Sequence, residues 1–191
     1  MLTFAVRVLP LYLAALALTV AGWAVRAPQA WLAPLAVCVV LLFAALLTFR
    51  RTPAWSTILL LGLALTVGAA LRLVAGSHIA WVPISAVALG APLVGAAIGG
   101  RFRIRNAWVR GSLWTLAWIY ILGAWLFPMG LGNLRAWWAG AGLLVFAGLA
   151  VIWFADWPAR EESDPPGGPA AELYLIGLNL ALAANVLASV Q

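Results

Sequence analysis

Five carboxylates are the whole acidic complement of this chain, and all lie between residues 156 and 172: Asp156, Glu161, Glu162, Asp164 and Glu172. Carboxylates supply most general bases, intramembrane proton relays and hard-metal ligands. The stretch from Met1 to Ala155 has ten arginines and no acid, so most of that chemistry is closed to it. There is no lysine either, which removes Schiff-base chemistry and with it a retinal protein. Cys38 is the single thiol and His78 the single imidazole, so a disulfide, a zinc site or a haem site lacks the ligands it needs. Ser85 follows His78 by two helical turns, about 10 Å, which is beyond the hydrogen-bond reach of a nucleophile and its base. No pair of membrane aspartates is present for an aspartyl protease. The sequence therefore assigns no catalytic residue, no metal site and no cofactor.

Polar and aromatic groups inside apolar stretches are the remaining candidates for a pathway or a ligand. Trp114 and Trp118, with Trp125, form a stripe at i, i+4 and i+11; it lines a cavity or, more simply, is a packing or lipid-facing aromatic surface. Glu172 and Asn179 share one face of the last apolar stretch, with Tyr174 and Asn185 on another. Polar groups in a span usually face the bundle interior, which places this stretch centrally. Arg72 and Arg110 fall near span ends, where a long cationic side chain snorkels to headgroups; an anion-selective role is the sharper reading of either. Arg101, Arg103 and Arg105 form a short basic loop that suits anionic lipid headgroups or an acidic partner, although an ordinary topological anchor explains it as well.

The elements that must position these groups follow from composition. The chain is 66% apolar and 8% charged, with a mean hydropathy of +1.07, far outside the range of soluble domains. A hydrocarbon core of roughly 30 Å takes about 20 residues per helix. Seven such stretches can be cut, at about 6–25, 29–49, 54–75, 79–99, 108–127, 136–155 and 171–190. They are apolar on all sides, unlike the alternating strands of a membrane barrel. The expected fold is an all-α integral membrane protein, a polytopic bundle of about seven transmembrane helices forming one domain. Residues 156–170, rich in proline, glycine and acid, are expected to form a mobile cytoplasmic linker. A divalent cation on Glu161, Glu162 and Asp164, or weak docking of this linker on the Arg101–Arg105 loop, competes there with plain solvation.

Tryptophan and arginine orient the spans. Ten of the twelve tryptophans fall near an expected helix end, as interfacial belts require. Trp23, Trp31, Trp81, Trp125, Trp137 and Trp138 mark one face; Trp55, Trp108, Trp153 and Trp157 mark the other. With the N-terminus cytoplasmic, Arg7, Arg50, Arg51, Arg101, Arg103, Arg105, Arg110 and Arg160 are inside, against Arg26, Arg72 and Arg135 outside. That bias predicts an N-in, C-out protein in a bacterial-type inner membrane, its first apolar stretch a retained span rather than a cleaved leader. Topology accounts for most of the basic excess, so a pI near 11.1 is not read as nucleic-acid binding.

Small residues predict where helices pack closely: Ala91, Gly95 and Gly99 in the fourth stretch, and Gly177, Ala181, Ala184 and Ala188 in the seventh. Arg26–Leu32 also echoes Arg103–Val109 on the opposite side of the expected membrane. An inverted three-plus-three repeat with a central seventh helix is the arrangement that echo implies, and it fits a two-halved transporter or channel. Three functions stay open at this level. The first is a passive channel or facilitator for a small neutral or anionic solute. The second is a non-catalytic structural or assembly subunit of a larger membrane complex, with partner subunits or copies of itself. The third, a lipid-modifying enzyme, lacks a recognisable nucleophile or base.

Overall fold

The computed structural model describes residues 4–75, 107–126, 134–160 and 164–189, with Val87, Ala88, Gly90, Val94, Gly95 and Ala97–Gly99. These residues are helical apart from short turns, and none of them is in a strand. A π-helical turn, Phe4–Val8, leads into α1 (Leu9–Ala24); a 3-10 turn, Gln29–Trp31, leads into α2 (Leu32–Phe49). Then come α3 (Pro53–Ala75), α4 (Ala107–Leu126), α5 (Leu134–Arg160) and α6 (Gly167–Ser189).

Among the described residues, five segments are long and apolar enough to cross a membrane: Phe4–Ala24, Gln29–Phe49, Pro53–Val74, Ala136–Pro158 and Gly167–Ala188. The fifth expected span, 108–127, is the helix α4, but with Arg110, Ser112, Thr115 and its tryptophans it is not among the five. The fourth, 79–99, lies mostly outside the described residues, although those described between Val87 and Gly99 are helical.

Proline placement shows why the helices begin where they do. Pro10, Pro34, Pro53 and Pro169 all stand in the first turn of α1, α2, α3 and α6. There a missing N–H is no loss, and a fixed φ favours the helical start. The same reasoning explains a difference from the sequence expectation at 156–170. The helix α5 continues through Pro158 to Arg160, and α6 begins at Gly167 rather than near 171. Pro158 removes one bond in the last turn of α5, with only two residues after it to disrupt. Pro169 lies early enough in α6 to remove none.

The chain divides into two compact units. The first comprises Met1–Ile79 with Glu161–Tyr174, the second Ala80–Arg160 with Leu175–Gln191. In the first unit, α1 and α3 cross through reciprocal glycines. A Cβ on Gly22 would strike the Leu65 carbonyl oxygen and come within 3.1 Å of the Ala69 nitrogen. A Cβ on Gly68 would strike the Thr19 carbonyl oxygen and come within 2.9 Å of the Trp23 nitrogen. Backbones approach this closely only where side chains are missing, and in lipid such contact is a main source of helix association. The start of α6 is seated the same way, since a Cβ on Gly167 would meet the Ser56 side chain and backbone. Of α2, only Leu46 is buried.

In the second unit, α4 and α5 are antiparallel. Leu113 lies against Gly148, the Tyr120 ring fills the space a Gly142 side chain would occupy, and Arg110 reaches Asp156. Gly95 and Gly99 pack on α5, where added Cβ atoms would lie 2.8 Å from Phe154 side-chain carbons. The expected close packing at Gly95 and Gly99 is thus observed, whereas Ala91 is outside the described residues. On α6, Gly177 and Ala181 are buried, Ala184 is half-buried and Ala188 is exposed.

Candidate functional site

Buried polar groups in the first unit gather where α1, α3 and α6 meet. Tyr12 and Thr19 sit two turns apart on one face of α1, with Ala15 between them, and all three are buried. The Thr19 hydroxyl donates to the Ala15 carbonyl oxygen at 2.9 Å. Its oxygen lies 2.7 Å from the Tyr174 hydroxyl, and because threonine has one proton, Tyr174 is the donor of that second bond. Tyr174 has no solvent exposure, so its hydroxyl would otherwise be an orphan donor in an apolar core. Ser56, also fully buried, donates to the Pro53 carbonyl oxygen at 3.2 Å.

At the end of this unit marked by the C-termini of α1 and α3, the Arg72 guanidinium carbon stands 4.4 Å above the Trp23 ring. Gln29, in the 3-10 turn before α2, donates to the Leu73 carbonyl oxygen at 3.4 Å. The loop carrying Arg26 is thereby tied to the end of α3.

The second unit holds an ion pair and two aromatic clusters. Arg110 Nη1 lies 2.6 Å from Asp156 Oδ2, the side chains 43% and 19% exposed. Trp153 stacks on Trp157 at 5.3 Å between centroids and meets Phe154 edge-on at 4.8 Å. Tyr120 stacks on Trp138 at 5.3 Å and meets Phe146 edge-on. The Trp138 indole N–H is buried and finds no acceptor among the described residues.

The sequence candidates are dispersed over these features. Arg72 is in the cation–π contact with Trp23. Asn179 donates to the Leu175 carbonyl oxygen of its own helix at 2.8 Å, while Glu172 and Asn185 are half-buried on α6. Trp114 is half-buried, whereas Trp118, one turn on, is 40% exposed, so the two do not share one internal surface. Arg101, Arg103, Arg105, His78, Ser85, Glu161 and Glu162 lie outside the described residues, as does most of the Arg103–Val109 half of the expected repeat.

The tryptophan belts need one correction. Trp31, Trp55, Trp108 and Trp137 are exposed near helix ends as expected, but Trp153 and Trp157 are each only 3% exposed. Because α5 extends to Arg160, these two rings belong to its packed face rather than to an interface. Arg110 likewise does not simply reach outward, since Asp156 partners it. That pair was missed although its signal was present: an arginine early in one span and an aspartate late in the next meet across an antiparallel hairpin. The Thr19–Tyr174 bond had no comparable signal, as nothing in the sequence aligns residues 155 positions apart.

Compared with known protein families, with curated proteins and with solved structures, the chain matches none.

Proposed function

We propose that this chain is an integral membrane protein of seven spans with a structural role, a non-catalytic subunit around which a larger membrane assembly is organised. The observation behind this reading is where the polar side chains of the helices point. Thr48, Thr57, Thr66, Thr115 and Asn179 each donate to a carbonyl four residues back on their own helix. Tyr174 and Thr19 pair with each other, and Arg110 pairs with Asp156. The two interhelical pairs hold helices together and the other donors are turned back onto their own helix, whereas a conducting path needs groups free to replace a solute's hydration. The nearly unburied α2 supplies the complementary surface, covered by lipid or by a neighbouring helix.

Seven spans agree with helix direction in the first unit. Trp23 meets Arg72, so α1 and α3 run the same way. Gly167 meets Ser56 near the start of α3, and Tyr174 meets Thr19 farther along, so α6 also runs that way. Between two helices of like direction lies an odd number of crossings. The helices α4 and α5 are two, and the apolar stretch 79–99 supplies the third.

A passive channel or facilitator for a small neutral or anionic solute is the second reading, favoured by the half-buried Glu172 and Asn185 on α6. Liposomes containing the purified protein separate the two. The structural reading expects entrapped chloride, glycerol and urea to be released no faster than from empty vesicles, and a stoichiometric complex after gentle solubilisation. Solute release above the empty-vesicle rate from a protein purified alone would establish the second reading instead.

A further inference from the structure

Three arginines run against the expected charge bias, and two of them, Arg26 and Arg72, lie at the same end of the first unit. Arg72 stands over the Trp23 ring, its guanidinium carbon 4.4 Å from the centroid, a contact that uses the cation's charge and none of its N–H donors. Among the described residues those donors find no acceptor. Arg26 is exposed three residues after Trp23, and the Gln29 bond to Leu73 holds its loop against the end of α3. Trp31, 57% exposed, completes the rim.

Among the described residues no carboxylate is at hand to neutralise this end. Residues 1–155 contain none. Asp164 precedes Gly167, which packs on Ser56 about 24 Å along α3 from Arg72. Glu172 is set about 200° round α6 from Tyr174, the residue that faces α1. Two cations flanked by tryptophans thus lack a counter-charge among the described residues, and the chemistry that would satisfy them is a tetrahedral oxyanion at headgroup depth. We propose that Trp23, Arg26, Gln29, Trp31 and Arg72 form a binding site for the phosphate of an anionic phospholipid. The site rests on the reading of the chain as a membrane protein.

The test uses the full-length protein. Flotation with phosphatidylcholine vesicles comes first; a folded protein that does not float fails the membrane reading itself. Native mass spectrometry from a neutral detergent then counts bound phosphatidylglycerol, phosphatidylcholine and inorganic phosphate. Phosphatidylglycerol is expected to bind in preference to phosphatidylcholine. The R26Q substitution weakens it about fivefold and R26Q/R72Q about thirtyfold, from the usual contribution of a basic residue near a charged surface. R50Q/R51Q, at the opposite end of the unit, changes it less than twofold. R26Q alters an exposed loop and keeps the test readable if R72Q does not fold. Equal binding of the two lipids, unchanged phosphatidylglycerol affinity in R26Q, or inorganic phosphate binding as tightly as the lipid would each overturn the proposal while leaving the membrane reading intact.

Discussion

Two alanine substitutions on the same helix should move stability in opposite directions. Gly62 and Gly68 both lie within α3. A Cβ at Gly62 meets only the flexible end of Leu42, at 3.9 Å, which is ordinary contact. Gly62→Ala therefore gains the helical preference of alanine, about 0.5–1 kcal/mol. A Cβ at Gly68 lands on the Thr19 carbonyl, 2.8 Å from its carbon and 2.9 Å from the Trp23 nitrogen. These are backbone atoms and cannot rotate away, so α1 must retreat by about an ångström, an overpacking cost of about 1–3 kcal/mol. The same retreat moves Thr19 from Tyr174 and forfeits a buried bond worth about 1 kcal/mol. After the propensity gain, Gly68→Ala loses about 1–3 kcal/mol, so the two substitutions differ by about 2–4 kcal/mol. Unfolding in mixed micelles of increasing dodecyl sulfate content, followed by circular dichroism, measures both. Gly22→Ala is expected to behave as Gly68→Ala, and the double variant to cost less than their sum, because the first substitution already parts the helices. Equal stability of Gly62→Ala and Gly68→Ala would refute a glycine-mediated crossing of α1 and α3.

Three further outcomes are expected. Tyr174→Phe and Thr19→Val each lose about 0.5–1.5 kcal/mol in the same unfolding assay, and the double variant loses less than their sum, since the Thr19–Tyr174 bond is lost in all three while Thr19→Val also gives up its bond to Ala15; additive losses would contradict the shared bond. A cycle of Arg110→Gln and Asp156→Asn yields a coupling below about 1 kcal/mol that shrinks as salt is raised, because the pair is partly solvated; a larger, salt-insensitive coupling would mean a drier pair. Cys38, exposed on α2 midway between Gln29 and Phe49, resists a water-soluble maleimide in intact membranes and reacts once detergent unfolds the protein; rapid labelling in the intact membrane would remove α2 from the bilayer core.

How much the sequence disclosed depends on which property fixed each feature. Span positions follow from local composition, and α1, α2 and α3 begin and end within a few residues of their expected bounds. At 156–170 the structure departs from the expected linker, because residue type alone does not set the effect of a proline. Its cost depends on position within the helix: Pro158 falls where the helix is already ending, and Pro169 where the first N–H groups have no intrahelical acceptor. Glycine spacing located the Gly95–Gly99 contact but missed Gly22 and Gly68, which belong to different helices and form no four-residue motif with each other. Such a contact is a property of a pair of surfaces, and one sequence presents the two surfaces separately. Tyr174 illustrates the same limit. Its hydroxyl in the first half of an apolar helix announces that a partner is required, while Thr19 is selected only once α1 and α6 are packed. Polar groups inside spans are therefore legible as demands, and their partners become legible only from the fold. Arg26 and Arg72 are the same kind of demand, with no carboxylate among residues 1–155 to meet it. The internal pairs are completed by the chain's own residues, whereas the counter-charge of these two arginines would come, on the proposed reading, from a lipid headgroup.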